Sequence, residues 1–277
     1  MKSLSEYWEL VELLTTSLAT AAAVAVGGSQ VGTFVLTRKE GLAALALPQV
    51  VAVGVAVALR EGWPPIWPAI VAAGAAVLAL GWSKQRGANH WVLPSLYVAG
   101  LSVSFLVIAN AGAHVEEMQQ RFTGIDVAVD VQTAMVVVPV VLGAGLLTSL
   151  LWRRWVAIAQ APAMAELAGL KPARWDIAFL CLLTTVLLFG TAALGAVMVL
   201  AMLFLPAATA LPWAKRMPGA LWIGGVLGLL FLAAGFVISV EMEWPLSHSV
   251  SGTGVAAMGI SYIAYQVRQL TLRKSPV

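Results

Sequence analysis

Histidine and carboxylate are the side chains in this sequence with chemistry to offer a metal ion. His114 stands beside Glu116 and Glu117, and the segment 239–251 (SVEMEWPLSHSVS) gathers Glu241, Glu243 and His248 around Pro245. Imidazole and carboxylate suit Zn²⁺ or Mn²⁺. The spacing matches no recognised ligand pattern, and solvated loop charges are the commoner origin of such clusters. His248, Glu243 and His114 therefore stand as candidate metal-contacting residues, with the solvated-loop alternative open.

Two further segments could do work. The run 205–212 (LPAATALP) places Pro206 inside an apolar stretch. Proline removes a backbone hydrogen bond, so Thr209 and the freed carbonyls either face a pathway or cap a kink. The segment 152–176 (WRRWVAIAQAPAMAELAGLKPARWD) has basic flanks around a short helix-prone core, 161–170. Gly169 is placed to stop that helix, and Lys171-Pro172 blocks its continuation. Such a helix either floats in the lipid interface or docks on a soluble partner. No phosphate-cradling G-x-x-x-x-G-K-[ST] loop, dinucleotide fingerprint, H-E-x-x-H or G-x-S-x-G element occurs, so the chain does not read as an enzyme, and any ATP must be hydrolysed by another chain.

The elements that carry these residues follow from composition. Of 277 residues, 60% are hydrophobic and 10% charged, and the mean hydropathy is +0.90. Soluble domains carry about 25% charged residues, so lipid is the solvent here. No ten-residue alternation of a barrel is present, which leaves closed helices as the way to satisfy the backbone. The expected fold is all-α, a polytopic bundle of about nine spans at 10–36, 43–59, 66–82, 91–110, 131–151, 176–190, 194–211, 220–239 and 250–267. The sixth and seventh are also readable as one broken hairpin around Gly190 and Gly195, and the first exceeds the bilayer and begins as an interfacial turn. Cys181 alone can form neither an intramolecular disulfide nor a cysteine zinc cluster, and reads as a packing residue. The first segment does not read as a cleaved signal peptide.

Charge placement orients the bundle. The connections after spans one, three, five, seven and nine hold 13 of the 16 basic residues, among them Arg38, Lys84, Arg153, Arg154, Lys215 and Arg216. Basic flanks are retained on the cytoplasmic side. The expectation is N-terminus out and C-terminus in. Full charges are nearly absent from the span interiors, which argues against a self-powered ion pump.

Several stretches share a pattern. Arg153 and Arg154 precede a short helix closing in Glu166, Gly169 and Leu170; residues 195–210 (GAVMVLAMLFLPAATA) form an apolar helix ending Pro-Ala-Ala-Thr-Ala; Glu243-Trp244-Pro245 precedes the last span; and Phe122-Thr123-Gly124 and residues 32–38 (GTFVLTR) add weaker matches. Together they resemble the permease family of zinc and manganese ABC importers, over about residues 32–266. The resemblance implies a single permease domain, 1–277, with an inner coupling loop at 152–176. It implies cytoplasmic ATPase subunits docked through Arg153, Arg154, Ala163, Glu166, Gly169 and Leu170, an extracytoplasmic binding protein, and a homodimer or a heterodimer with a paralogous permease. The chain itself would bind no cofactor, no nucleic acid and only membrane lipid and protein partners; ATP would sit on the partner, and a divalent metal would be cargo. Gln49, Pro206 and Thr209 fall along the implied pathway.

The family usually carries Gly-Asp-Ala-x-Ser-His-Ala after its first span, whereas residues 43–49 here read Ala-Ala-Leu-Ala-Leu-Pro-Gln. Three explanations stay open: pairing with an intact permease, a different cargo, or metal binding through Gln49, His248 or His114. A permease-derived scaffold that transports nothing is the reading from a different functional class.

Overall fold

The computed structural model describes residues 10–64, 66–86, 89–109 and 129–274. Runs of Ala, Leu, Val and Gly without charge become helices because lipid offers no partner to a free backbone N–H. The long helices are α1 (Thr15–Thr37), α2 (Gly41–Glu61), α3 (Ile66–Gln85), α4 (Asn89–Ala109) and α5 (Val131–Leu150). Two short helices follow, α6 (Trp152–Gln160) and α7 (Pro162–Leu167), and then α8 (Pro172–Leu194), α9 (Ala196–Ala210), α10 (Met217–Met242) and α11 (Leu246–Lys274). Among the described residues each segment expected to span is mostly helical, the seventh from Ala196 onward. Six of these helices, α1, α2, α3, α5, α8 and α10, are long and apolar enough to cross a membrane.

Helix α1 is the hub. It packs against α5, α9 and α10, while α2 packs against α3 and α4, and α8 joins the two groups through α1, α3 and α5. Lipid tails are as apolar as leucine, so association rests on close approach rather than on the hydrophobic effect. Small residues supply that approach. A Cβ at Gly32 would collide with the Leu203 carbonyl of α9, one at Gly145 with Gly27 and Gln30 of α1, and one at Gly228 with the Ala25 backbone. Inside α1, the hydroxyls of Thr20, Thr33 and Thr37 donate to carbonyls one turn back, which keeps polar groups satisfied without a neighbour.

Large apolar side chains point outward on α3, α5, α10 and α11. Exposed Trp63, Trp67 and Trp244 lie at one end of the bundle and Trp82, Trp213 and Trp222 towards the other, an arrangement of aromatic girdles at two interfaces.

The structure refines three expectations. The 152–176 segment holds two helices rather than one, because the chain breaks at Ala161 (φ −145°, ψ 71°) and Pro162 opens the second. The sixth and seventh segments are a tight hairpin joined by Gly195 alone, with Val199 packed on Gly190. Cys181 is exposed on the outer face of α8 rather than packed.

Candidate functional site

At the basic end of the bundle, α6 is amphipathic: Trp155 and Ile158 are buried, while Arg153 and Arg154 project outward. Trp155 is fully buried, edge-on to Trp175 at 5.1 Å and to Phe179 at 5.6 Å. Arg153 lies over the Trp152 ring at 5.5 Å and Arg154 over Trp175 at 4.9 Å. Helix α7 ends as the sequence predicts. Gly169 adopts φ 82°, its N–H donates to the Glu166 carbonyl at 2.9 Å, and the Leu170 N–H donates to Ala165 at 3.0 Å. This paired closure satisfies the last carbonyls of the helix. Ala163 and Glu166 are exposed, and so are two large apolar side chains, Met164 at 66% and Leu167 at 83%.

Behind this surface sits a charge ring that sequence reading missed. Arg38 at the end of α1 pairs with Asp176 of α8 and lies 3.8 Å from Glu40; Lys84 of α3 pairs with Glu40 and reaches Asp176 at 3.3 Å. The four charges alternate in sign. In sequence they read only as topology signals or scattered acids. A basic residue two positions before an acid at an α1–α2 turn was the available hint, but Asp176 and Lys84 are 138 and 44 residues from their partners.

The pathway residues are separately placed. Pro206 and Thr209 are buried in α9, and the Thr209 hydroxyl donates to the Leu205 carbonyl at 2.7 Å. Gln49 lies in α2 against Gly100 of α4, and its buried Oε1 has no hydrogen-bond partner among the described residues. Ala44 and Pro48, one turn apart where the resemblance expects aspartate and histidine, are buried. Pro48 lines an apolar cavity of about 160 Å³ with Val51, Val55, Ala69, Leu188 and Thr191.

Of the candidate metal residues, Glu243 caps α10 at φ 57° and is exposed, as is His248 on the first turns of α11. His248 Nδ1 lies 3.2 Å from the Ser247 hydroxyl. His114 lies outside the described residues. Among the described residues no three His, Cys, Asp or Glu side chains group to hold a metal.

The described residues form a multi-pass helical bundle with a short two-helix segment at its basic end. The ABC 3 transport family matches residues 10–263, and the chain belongs to it. It is similar to the manganese import system permease protein ScaB of Streptococcus parasanguinis, 24% identical, with 90% of this chain and 89% of that one covered. It is also similar to the manganese transport system membrane protein MntC of Halalkalibacterium halodurans, 24% identical over 82% and 78% of the two chains. The fold matches a chain of PsaBC from Streptococcus pneumoniae in complex with Fab, with a TM-score of 0.82 at 20% identity, covering 94% of this chain and 95% of that one.

Proposed function

We propose that this chain is the membrane-spanning subunit of an ATP-driven importer of a divalent metal such as manganese or zinc, built from nine spans in a bacterial inner membrane with the N-terminus out and the C-terminus in. Cytoplasmic ATPase subunits dock beneath α7, an extracytoplasmic binding protein delivers cargo, and the chain works as a homodimer or with a paralogous permease. It hydrolyses nothing itself and holds no cofactor.

The observation that carries this reading is the surface of α7. Helices that lie in lipid headgroups are rich in Lys and Arg on their polar face. Residues 162–167 (PAMAEL) contain no basic residue, and they present Met164 and Leu167 around the acidic Glu166. A protein socket suits that surface better than an anionic membrane does. The metal cargo rests on the manganese systems named among the relatives.

The test is ATP-driven uptake of Mn²⁺ and Zn²⁺ into proteoliposomes holding this chain, its ATPase and its binding protein. Metal uptake that requires ATP, and that Glu166→Lys and Leu167→Asp abolish together with ATPase binding, supports the reading. An assembled complex that hydrolyses ATP and moves neither metal rejects the cargo. Absence of any ATPase complex rejects the importer.

A second reading, a permease-derived subunit that moves a different cargo beside an intact partner or serves as a scaffold, draws on the buried Ala44 and Pro48 and on the apolar cavity beside them. It predicts assembly without metal-stimulated uptake by the homodimer, restored when an intact paralogue is supplied.

A further inference from the structure

The charge ring behind α6 is costly to keep. The side chain of Arg38 is 4% exposed and that of Glu40 7%, against 18% for Asp176 and 29% for Lys84. Burying ion pairs gives little net stability, because the desolvation of each charge offsets the attraction. A geometric role accounts better for the ring's position than a stabilising one.

Its members come from four separate helix ends. Arg38 is the C-cap of α1, Glu40 the N-cap of α2, Lys84 lies in the last turn of α3, and Asp176 in the second turn of α8. Glu40 accepts no cap hydrogen bond from its own helix, because its carboxylate is turned to Lys84. The ring thus ties the end of α1 to the ends of α2, α3 and α8, three of the helices that line the apolar cavity of Pro48 and Leu188.

Arg38 also faces the docking segment. Its guanidinium lies 4.7 Å from the centre of the Phe179 ring and 5.8 Å from that of Trp155, the fully buried anchor of α6. Among the described residues, only Nη2 of its three nitrogens has an acceptor; Nε and Nη1 are buried without one there, and so is the Trp155 indole N–H. The bonded carboxylate of Asp176 and the neighbouring one of Glu40, 3.8 Å away, offer the same guanidinium two pairings. Unused donors and a second carboxylate within reach give the guanidinium room for two discrete arrangements.

We infer that Arg38 is the positioning residue that hands movement of the ATPase-docked α6–α7 segment to the membrane helices. A push on α6 shifts Trp155 across the guanidinium, and Arg38 transfers its hydrogen bonds between Asp176 and Glu40. That exchange alters the tie between α8 and the α1–α2 turn. The inference rests on the permease reading, since it needs an ATPase beneath α7.

The experiment uses the full-length chain in complex with its ATPase in proteoliposomes, in a Cys181→Ser background with spin labels at Glu61→Cys and Met242→Cys. Three quantities are read: ATPase binding, hydrolysis rate, and the change in label distance on trapping with ATP and vanadate. Arg38→Gln is expected to bind the ATPase and hydrolyse ATP within about twofold of the parent, while the fraction of complexes that change distance falls about tenfold, the size of an ordinary coupling energy. Arg38→Lys, which keeps the charge, recovers most of the change. The inference is overturned if Arg38→Gln leaves the distance change intact, or if hydrolysis, distance change and thermal stability fall in proportion and Arg38→Lys is no better. A parent complex that changes distance but carries no metal rejects the cargo and leaves the inference standing. A parent chain that binds no ATPase rejects both.

Discussion

Arg38 and the glycines of α1 show how much depends on single atoms in a bundle without a hydrophobic driving force between its helices. A side chain at Gly32 meets the backbone carbonyl of Leu203, which cannot rotate aside, whereas Gly74 faces open space. Gly32→Val is expected to destabilise the detergent-solubilised protein by about 1–3 kcal/mol or more, as overpacking does, and Gly74→Val to leave its Tm unchanged; a thermal-shift assay on the pair decides. At the opposite end of the molecule, Asp130 caps α5 by accepting from the Thr133 N–H at 3.3 Å. Its hydrogen bonding to Thr133 holds the carboxyl below its ordinary value of 3.8. A lowered pKa means that the folded state prefers the charged form. Its stabilising contribution is therefore complete above the ordinary value and is lost as pH falls through the lower folded one. Asp130→Ala should lower Tm at pH 7, and the gap to the parent should close under strong acid.

At the scale of elements, two turns depend on backbone conformations that side chains resist. Gly195 joins α8 to α9 at φ 79°, ψ 159°, a region essentially confined to glycine. Gly195→Ala should cost about 1–3 kcal/mol in strain and separate the hairpin that Val199 closes on Gly190. Gly169 differs: its φ is 82°, but nothing lies within 4 Å of a Cβ placed there. Gly169→Ala should therefore leave the melting of the bundle nearly unchanged and weaken ATPase pull-down, because only the exit of α7 is strained. Equal losses in folding and in pull-down would contradict that separation. Burial of Trp155 makes α6 the opposite case. Trp155→Ala should cost about 3–5 kcal/mol, the ordinary range for a buried aromatic, and so destabilise the whole basic end.

For the whole molecule, the arrangement of charge makes a topological prediction. Cysteines at Lys39 and Glu61, each alone in a Cys181→Ser background, lie at opposite ends of α2. A membrane-impermeant maleimide applied to intact cells should label the Glu61 position and spare Lys39 until the cells are opened; the reverse pattern would invert the bundle. Between these ends, α9 has only 15 residues. At 1.5 Å per residue it is about 22 Å long, shorter than the hydrocarbon core. It is held in depth by its hairpin with α8 and by α10 and α11 rather than by its own length.

Sequence alone determined the solvent, the helical class and the positions of the long helices, because each follows from local composition that lipid reads residue by residue. It also located the end of α7, since Gly169 and Lys171-Pro172 act on their own backbone. Pairings between distant helix ends were invisible; the break at Ala161 was not, since Pro162 disfavours the helical conformation of the residue before it, and that signal went unread. Cys181 read as a packing residue because its apolar neighbours look alike on every face of α8, and only the placement of α1, α3 and α5 shows which face is lined. The ring of Arg38, Glu40, Lys84 and Asp176 was equally hidden. Its members flank different spans, as topology signals do, and only the packing of α1, α2, α3 and α8 turns them from four solvated charges into one partly buried junction.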